Sequence, residues 1–494
     1  MVKKTPIFYS ALLLTGVNLL LRMVSTSFQV YLSGRIGPAG IGLVQLVLSV
    51  GVMAMTAGMA GIRTATMYLT AEELGRKNPG NVTWVLSGCF RYSLICSITV
   101  SVVLYTLAPW LANNWIGDER TVNAIRLLAF SVPISCLCGV MTGYFTAANR
   151  IGMLAAVEVS EQLLCMLTTI MILHFWAQAD PSKACQAVVV GSFIGCCFTL
   201  IILIVLRLRE NTPVVPRLPM RKRLLQAAVP LALADDLKTG ITTAENLMVP
   251  KRIALYSGVS DPLAAFGMIC GMVFPILMFP AAILFGLNEL LIPELARCHA
   301  AGSENRIRYL VKRSLRAAMF YGCICSGILY LCAESLCLRF YNSTNAGQLL
   351  QKFSILAPML YCDAVTDAMT KGLGQQKICV RYNIITSTLD VILLYWLLPK
   401  YGLNGYFFSF LVTHLINFLL SFRRLMKITN CSIQAHIPLI TIVFTILSVI
   451  AAGVLPYPWI RILSFVLMFS SSLCLVNIIR GEDLRWLWRL IKPK

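Results

Sequence analysis

The sequence predicts an all-α integral membrane protein with about 14 transmembrane helices, and three observations carry that prediction. Hydrophobic residues make up 58% of the 494-residue chain and charged residues only 13%, with a mean hydropathy of +0.76. The apolar residues fall in runs of about 20 to 26, the length a helix needs to cross a hydrocarbon core. The apolar-polar alternation over about 10 residues that marks a transmembrane β-strand is absent.

Six runs, at 8–32, 42–68, 84–108, 124–147, 153–176 and 183–206, form a first set. Six more, at 225–250, 264–288, 314–335, 348–372, 376–398 and 402–424, form a second, and 436–455 with 459–479 make a C-terminal pair. The first run follows Lys3 and Lys4 as a signal peptide would. It is too long for an h-region and no small-residue cleavage site closes it, so it is read as a helix.

The predicted organisation is an N-lobe over 1–206, a basic linker over 207–223, a C-lobe over 224–426, and a final pair with a basic tail over 427–494. The lobes repeat one another weakly. Pro38 to Gly42 opens the second run and Pro262 to Gly267 the eighth; Glu73, Leu74 and Arg91 match Glu294, Leu295 and Lys312. Asn149-Arg150-Ile151 likewise matches Gln376-Lys377-Ile378. Each lobe has an even number of spans, so the copies run parallel, related by an axis along the membrane normal, as in many transporters.

The net charge of +21 reads as topology and not as nucleic-acid binding. With the N-terminus inside, the inner loops gather Arg76, Lys77, Arg150, Arg207, Arg209, Arg217, Arg221, Lys222 and Arg223, then 297–316, 371–381, Arg423, Arg424, Lys427 and the tail. Outer loops keep few, chiefly Arg35, Arg120, Lys183, Lys251, Arg252, Arg339 and Lys400. This bias places both termini in the cytoplasm, and the inner charge also attracts anionic lipid headgroups. The 18 cysteines lie mostly within spans, where thiols pack as small hydrophobes. The four histidines are scattered, so no metal or cofactor site is predicted.

Ionisable groups at membrane depth are expensive and normally face protein or a water-filled cavity. The seventh run carries Asp235, Lys238, Thr242 and Glu245 along one face. The tenth has Asp363, Asp367 and Lys371; the eleventh has Asn383, Ser387 and Asp390; the fifth has Glu158, Glu161 and Gln162. Arg22 lies near the middle of the first run, too deep to snorkel. Arg63 lies near the inner end of the second, where it either snorkels or pairs with Glu72. His414 and Asn417 share a face of the twelfth run and suit an interhelical hydrogen bond. Deep cations suit an anionic headgroup such as a diphosphate, and the distributed carboxylates suit Na⁺ or H⁺ coupling. Prolines 275 and 280, with Gly267, Gly271 and Gly286, make the eighth run prone to bending. The chain has no phosphate-binding loop and no nucleophile elbow, so no catalytic residues are predicted.

Several segments carry a family resemblance. They are Gly37-Pro38-Ala39-Gly40-Ile41-Gly42-Leu43, Gly143-Tyr144-Phe145 through Glu161-Gln162, Ala244-Glu245-Asn246-Leu247-Met248-Val249-Pro250, Leu291-Ile292-Pro293-Glu294 and Gly372-Leu373-Gly374-Gln375. In order and spacing the chain resembles the polysaccharide biosynthesis, stage V sporulation protein B-like flippase family of the multidrug/oligosaccharidyl-lipid/polysaccharide exporter superfamily. That resemblance implies two lobes forming a V-shaped cavity and translocation of a polyprenyl-diphosphate-linked oligosaccharide or peptidoglycan precursor, with a role in spore envelope formation. It also implies that Arg22 is the family's first-helix arginine; Phe28 stands where a second basic residue is usual.

The sequence thus predicts a flippase working by alternating access. Arg22, Arg63, Lys238, Asp235 and Glu245 are its substrate-binding residues, and Asp363, Asp367, Asp390, Glu158 and Glu161 line the cavity or couple ions. Its partners are a lipid-linked glycan or another amphipathic anion, Na⁺ or H⁺, membrane lipids and envelope-synthesis enzymes. A Na⁺- or H⁺-coupled drug or metabolite exporter on the same architecture, and a non-transporting membrane scaffold, remain the rival readings.

Overall fold

The computed structural model describes residues 7–76, 79–177, 180–209, 221–431 and 436–475, and among these there is no strand. Lys3, Lys4, most of the basic linker and the basic tail lie outside the described residues. The chain is built from α1 (Ile7–Met59), α2 (Ile62–Gly75), α3 (Pro79–Trp110), α4 (Val122–Ala147), α5 (Ile151–Ile172) and α6 (Pro181–Leu208). There follow α7 (Arg221–Ile253), α8 (Pro262–Gly267), α9 (Phe274–Met278), α10 (Ala281–Ala300) and α11 (Glu304–Tyr341). The last are α12 (Thr344–Ser354), α13 (Ala357–Gly372), α14 (Gln376–Thr429), α15 (His436–Gly453) and α16 (Pro458–Leu475).

Nine helical stretches among the described residues are long and apolar enough to cross a membrane, or ten if the broken α8–α10 segment is one span. Fourteen were expected, and the difference has local causes. The expected first and second helices run on through a kink at Gly37 (φ 71, ψ 177), and the eleventh and twelfth through one at Gly402 (φ 53, ψ −130). Both conformations are essentially open to glycine alone. The expected seventh helix, α7, holds Asp235, Asp236 and Lys238 within two turns, and the expected tenth breaks into α12 and α13 around Ile355 and Leu356. The expected eighth is interrupted by a wide π-type turn at Met268–Val273 and again at Phe279 and Pro280.

Helix starts follow the sequence. Asp180 accepts a hydrogen bond from the Ser182 N–H ahead of α6, with Pro181 at the first helical position. Asp261 accepts from the N–H groups of Leu263 and Ala264 and caps α8 in the same way. Many large apolar side chains, among them Phe175, Ile201, Leu233 and Trp396, stay exposed on the protein's own surface, as contact with lipid tails allows.

By packing, the chain forms two compact units. The first comprises Met1–Gly271 with Ser387–Tyr406, the second Met272–Thr386 with Phe407–Lys494. The first break in packing follows Gly271, and α7 and α8 pack with the first six helices.

In the first unit, the two repeated motifs meet. A Cβ on Gly42 would overlap the Leu263 carbonyl oxygen, and one on Gly267 would overlap the Pro38 carbonyl oxygen. Gly42 stands to Pro38 as Gly267 stands to Leu263, so the contact is nearly self-complementary, the geometry of a two-fold axis. Nearby, Asn246 donates to the Ser49 hydroxyl at 3.0 Å and Thr243 to the Ser49 carbonyl at 3.3 Å. The Lys251 ammonium donates to the Asn114 carbonyl.

The second unit has an aromatic centre, with Phe353 packing edge-on against Phe274 and Phe407. A separate apolar cluster of Cys323, Ala452, Phe465, Phe469 and Leu473 fastens α15 and α16 to α11. The Phe465 ring lies where a Cβ of Gly327 would be.

Candidate functional site: a charged pocket between α1 and α5

Helix α5 presents Glu158, Glu161 and Gln162 on one face, because positions three and four apart in a helix are neighbours. The structure sets this face opposite Leu21, Arg22 and Ser25 of α1, and together they line a pocket of about 410 Å³ within the first unit. Such a volume falls in the range of small-molecule sites.

Glu161 is fixed from behind. The Thr199 hydroxyl donates to its Oε2 at 2.7 Å and the Cys196 thiol to its Oε1 at 3.5 Å, both from α6. Gly195 lets α6 come this close, since a Cβ there would lie 3.3 Å from Glu161 Cγ. Glu158 feels the attraction of Arg63 and the repulsion of Glu161. Arg22, Glu158 and Gln162 make no side-chain hydrogen bond or ion pair with any described residue. Opposite charges thus share one cavity without collapsing onto each other.

The other residues picked out in the sequence fall elsewhere. Arg63 is exposed, and it does not pair with Glu72. Glu72 is instead engaged by Arg76 at 2.6 Å and Arg223 at 2.7 Å. Arg223 also reaches buried Glu73 at 2.9 Å, whose second oxygen accepts from Asn81 at 2.9 Å. These bonds, with Glu73 the stronger partner, hold the Arg223 proton even more firmly than usual.

Asp235, Lys238 and Thr242 are exposed on α7, and no ion pair joins Asp235 to Lys238. The neighbouring Asp236 turns inward, with one oxygen buried and unpartnered. Glu245, further along α7, lies within hydrogen-bonding range of Asp390 of α14 in the same unit. In the second unit, Asp363 accepts from the Asn417 amide at 3.2 and 3.0 Å, while Asp367 pairs with Lys371 at 2.6 Å. His414 lies against Phe410, with ring centroids 4.1 Å apart and the ring planes tilted by 48°. The charged residues therefore form separate groups: the Arg22 pocket, the Glu245–Asp390 pair and the Asp363–Asn417 bond.

Sequence reasoning missed Ser25, Thr199 and Cys196. Cys196 reads as a packing residue like its neighbours, and nothing along the chain tells which thiol will face a carboxylate.

Comparison with known proteins places this architecture. The family model described as polysaccharide biosynthesis protein matches residues 8–237. Over that stretch the chain resembles the polysaccharide biosynthesis proteins. It is 21% identical over 407 residues to the stage V sporulation protein B of Bacillus subtilis (strain 168), covering 80% of this chain and 78% of that protein. Its fold matches that of the lipid II flippase MurJ in an inward closed conformation (TM-score 0.68, 13% identity, 95% of this chain and 100% of the other). An inward-facing multidrug resistance MATE transporter of the MOP superfamily matches equally well (TM-score 0.68, 15% identity, 85% and 100% of the two chains). Both proteins that share this fold are membrane proteins, one a lipid II flippase and the other a multidrug transporter.

Proposed function

We propose that the protein translocates a polyprenyl-diphosphate-linked oligosaccharide or peptidoglycan precursor across the bacterial plasma membrane, with both termini cytoplasmic, in the service of envelope formation. The observation that carries this reading is the Arg22 pocket, an open hollow of about 410 Å³ that gathers Arg22, Glu158, Glu161 and Gln162 between helices otherwise fit for lipid. Kinship with a sporulation protein and a fold shared with a lipid II flippase support the cargo class. Arg22 offers its guanidinium to an anionic group of the head; Lys238, without an ion pair among the described residues, is the cation offered to the diphosphate. Alternating access then exposes the head in turn to each side of the membrane.

The test is translocation of a fluorescent lipid-linked glycan in proteoliposomes. Arg22→Gln should slow it at least tenfold, as expected for loss of a charge-assisted contact worth roughly 1.5–3 kcal/mol. An unchanged rate would remove Arg22 from the route.

The Glu245–Asp390 pair favours a second reading, a Na⁺- or H⁺-coupled exporter, since two carboxyl groups in contact form a natural seat for a proton or small cation. Efflux of a cationic dye that depends on Asp390, with no response to lipid-linked glycans, would select it.

A further inference from the structure

The charge inventory of the Arg22 pocket does not match a site for phosphate alone. Among the described residues its wall offers one guanidinium and two carboxylates, and Arg63, outside the wall, attracts Glu158. A diphosphate placed against Arg22 would face Glu158 and Glu161 across the same cavity. The arrangement instead balances two positive against two negative groups, and the free ends inside the pocket are of both signs.

We infer that this pocket is a subsite for a zwitterionic, amino-acid-like part of the transported head group. Its acidic group lies on Arg22 and its ammonium lies against Glu158 and Gln162. The inference rests on the flippase reading for the identity of the whole cargo, but it concerns the chemistry of this one cavity.

Each residue has a part that its chemistry suits. Arg22 presents a planar fork that holds a carboxylate through two parallel hydrogen bonds. Glu158 has no hydrogen-bonding partner among the described residues, so its oxygens are open to an ammonium. Gln162 supplies both a carbonyl acceptor and an amide donor and can serve either end. Glu161 is held by Thr199 and Cys196 and keeps its place. It therefore acts as a positioning residue that repels a second anion. A pocket that keeps its own opposite charges apart avoids breaking an internal ion pair before a ligand enters. That is preorganisation for a ligand bearing both signs.

The experiment is calorimetric titration of the full-length protein in lipid nanodiscs with four soluble probes. Nα-acetyl-lysine carries both an ammonium and a carboxylate. Nα,Nε-diacetyl-lysine lacks the ammonium, Nα-acetyl-lysine amide lacks the carboxylate, and inorganic diphosphate is purely anionic. The wild type should bind the first at least tenfold more tightly than either neutralised form. Glu158→Gln should erase the preference over the diacetyl compound while keeping that over the amide. Arg22→Gln should do the reverse. Because each readout is a ratio within one variant, a general loss of folded protein cannot imitate it.

Equal binding of the three lysine derivatives, tighter binding of diphosphate than of Nα-acetyl-lysine, or an intact ammonium preference in Glu158→Gln would each overturn the inference. Probe discrimination that survives alongside failed glycan translocation in proteoliposomes would sink the flippase reading and leave the subsite standing.

Discussion

At Asp363 a carboxylate in the second unit relies on one neighbouring side chain, Asn417, which donates to both of its oxygens. Asn417→Ala strips those hydrogen bonds from a half-buried acid, and the expected loss is about 1–3 kcal/mol. It is read as a lower melting temperature in detergent, and an unshifted transition would show that water replaces the amide without penalty. Asp118, in the turn between α3 and α4, is a milder case. The Arg120 guanidinium, at 2.8 Å, holds its carboxyl below the ordinary range. A depressed native pKa contributes stability above the unfolded value, near 3.9, and loses it as pH falls through the native one. On acidification through that window the wild type should lose stability faster than Asp118→Asn, and parallel curves would show the pair contributes nothing. Side chains such as these were only partly legible in the sequence. The face shared by Glu158, Glu161 and Gln162 follows from helical spacing alone. Which arginine it meets does not, because the neighbours of a helix are set by packing between segments far apart in the chain. Nor does spacing alone say which of Asp235 and Asp236 turns inward, since the two lie about 100° apart around α7.

Among the elements, the contact of α1 with α8 makes the sharpest demand on sequence. A Cβ on Gly267 would strike backbone, the Pro38 carbonyl, which no rotamer change can move. Gly267→Ala should therefore destabilise by about 1–3 kcal/mol, the usual range for overpacking. Gly240, in α7 with open space around it, is the control. There alanine should be neutral or stabilising by up to about 1 kcal/mol, as for a helical glycine whose added methyl meets nothing. Equal melting temperatures for the two variants would show that α1 and α8 can part at little cost. Both halves of the contact were visible beforehand as repeated Pro-to-Gly motifs. Their meeting was not, since a repeat fixes correspondence and leaves open whether the copies touch. Apolar run lengths located nearly every helix, but they implied helix ends near Gly37 and Gly402, where the structure kinks a helix without ending it.

For the whole molecule, covalent order and packing order diverge. Helix α7 follows the linker in the chain yet belongs by packing to the unit of the first six helices. Its first turn is pinned there by Arg223, which bridges Glu72 and Glu73. Arg223→Glu would place a third acid beside Glu72 and buried Glu73. The expected outcome is a loss of folded yield, partly recovered by Glu72→Arg, and recovery to no degree would mean the bridge is incidental. The pinning also means that the peptide bonds across 210–220 are not what keeps α7 in its place. Two separately expressed polypeptides, 1–209 and 221–494, should find each other in a cell membrane and co-purify as a working pair, so this protein ought to behave as a ready-made split reporter.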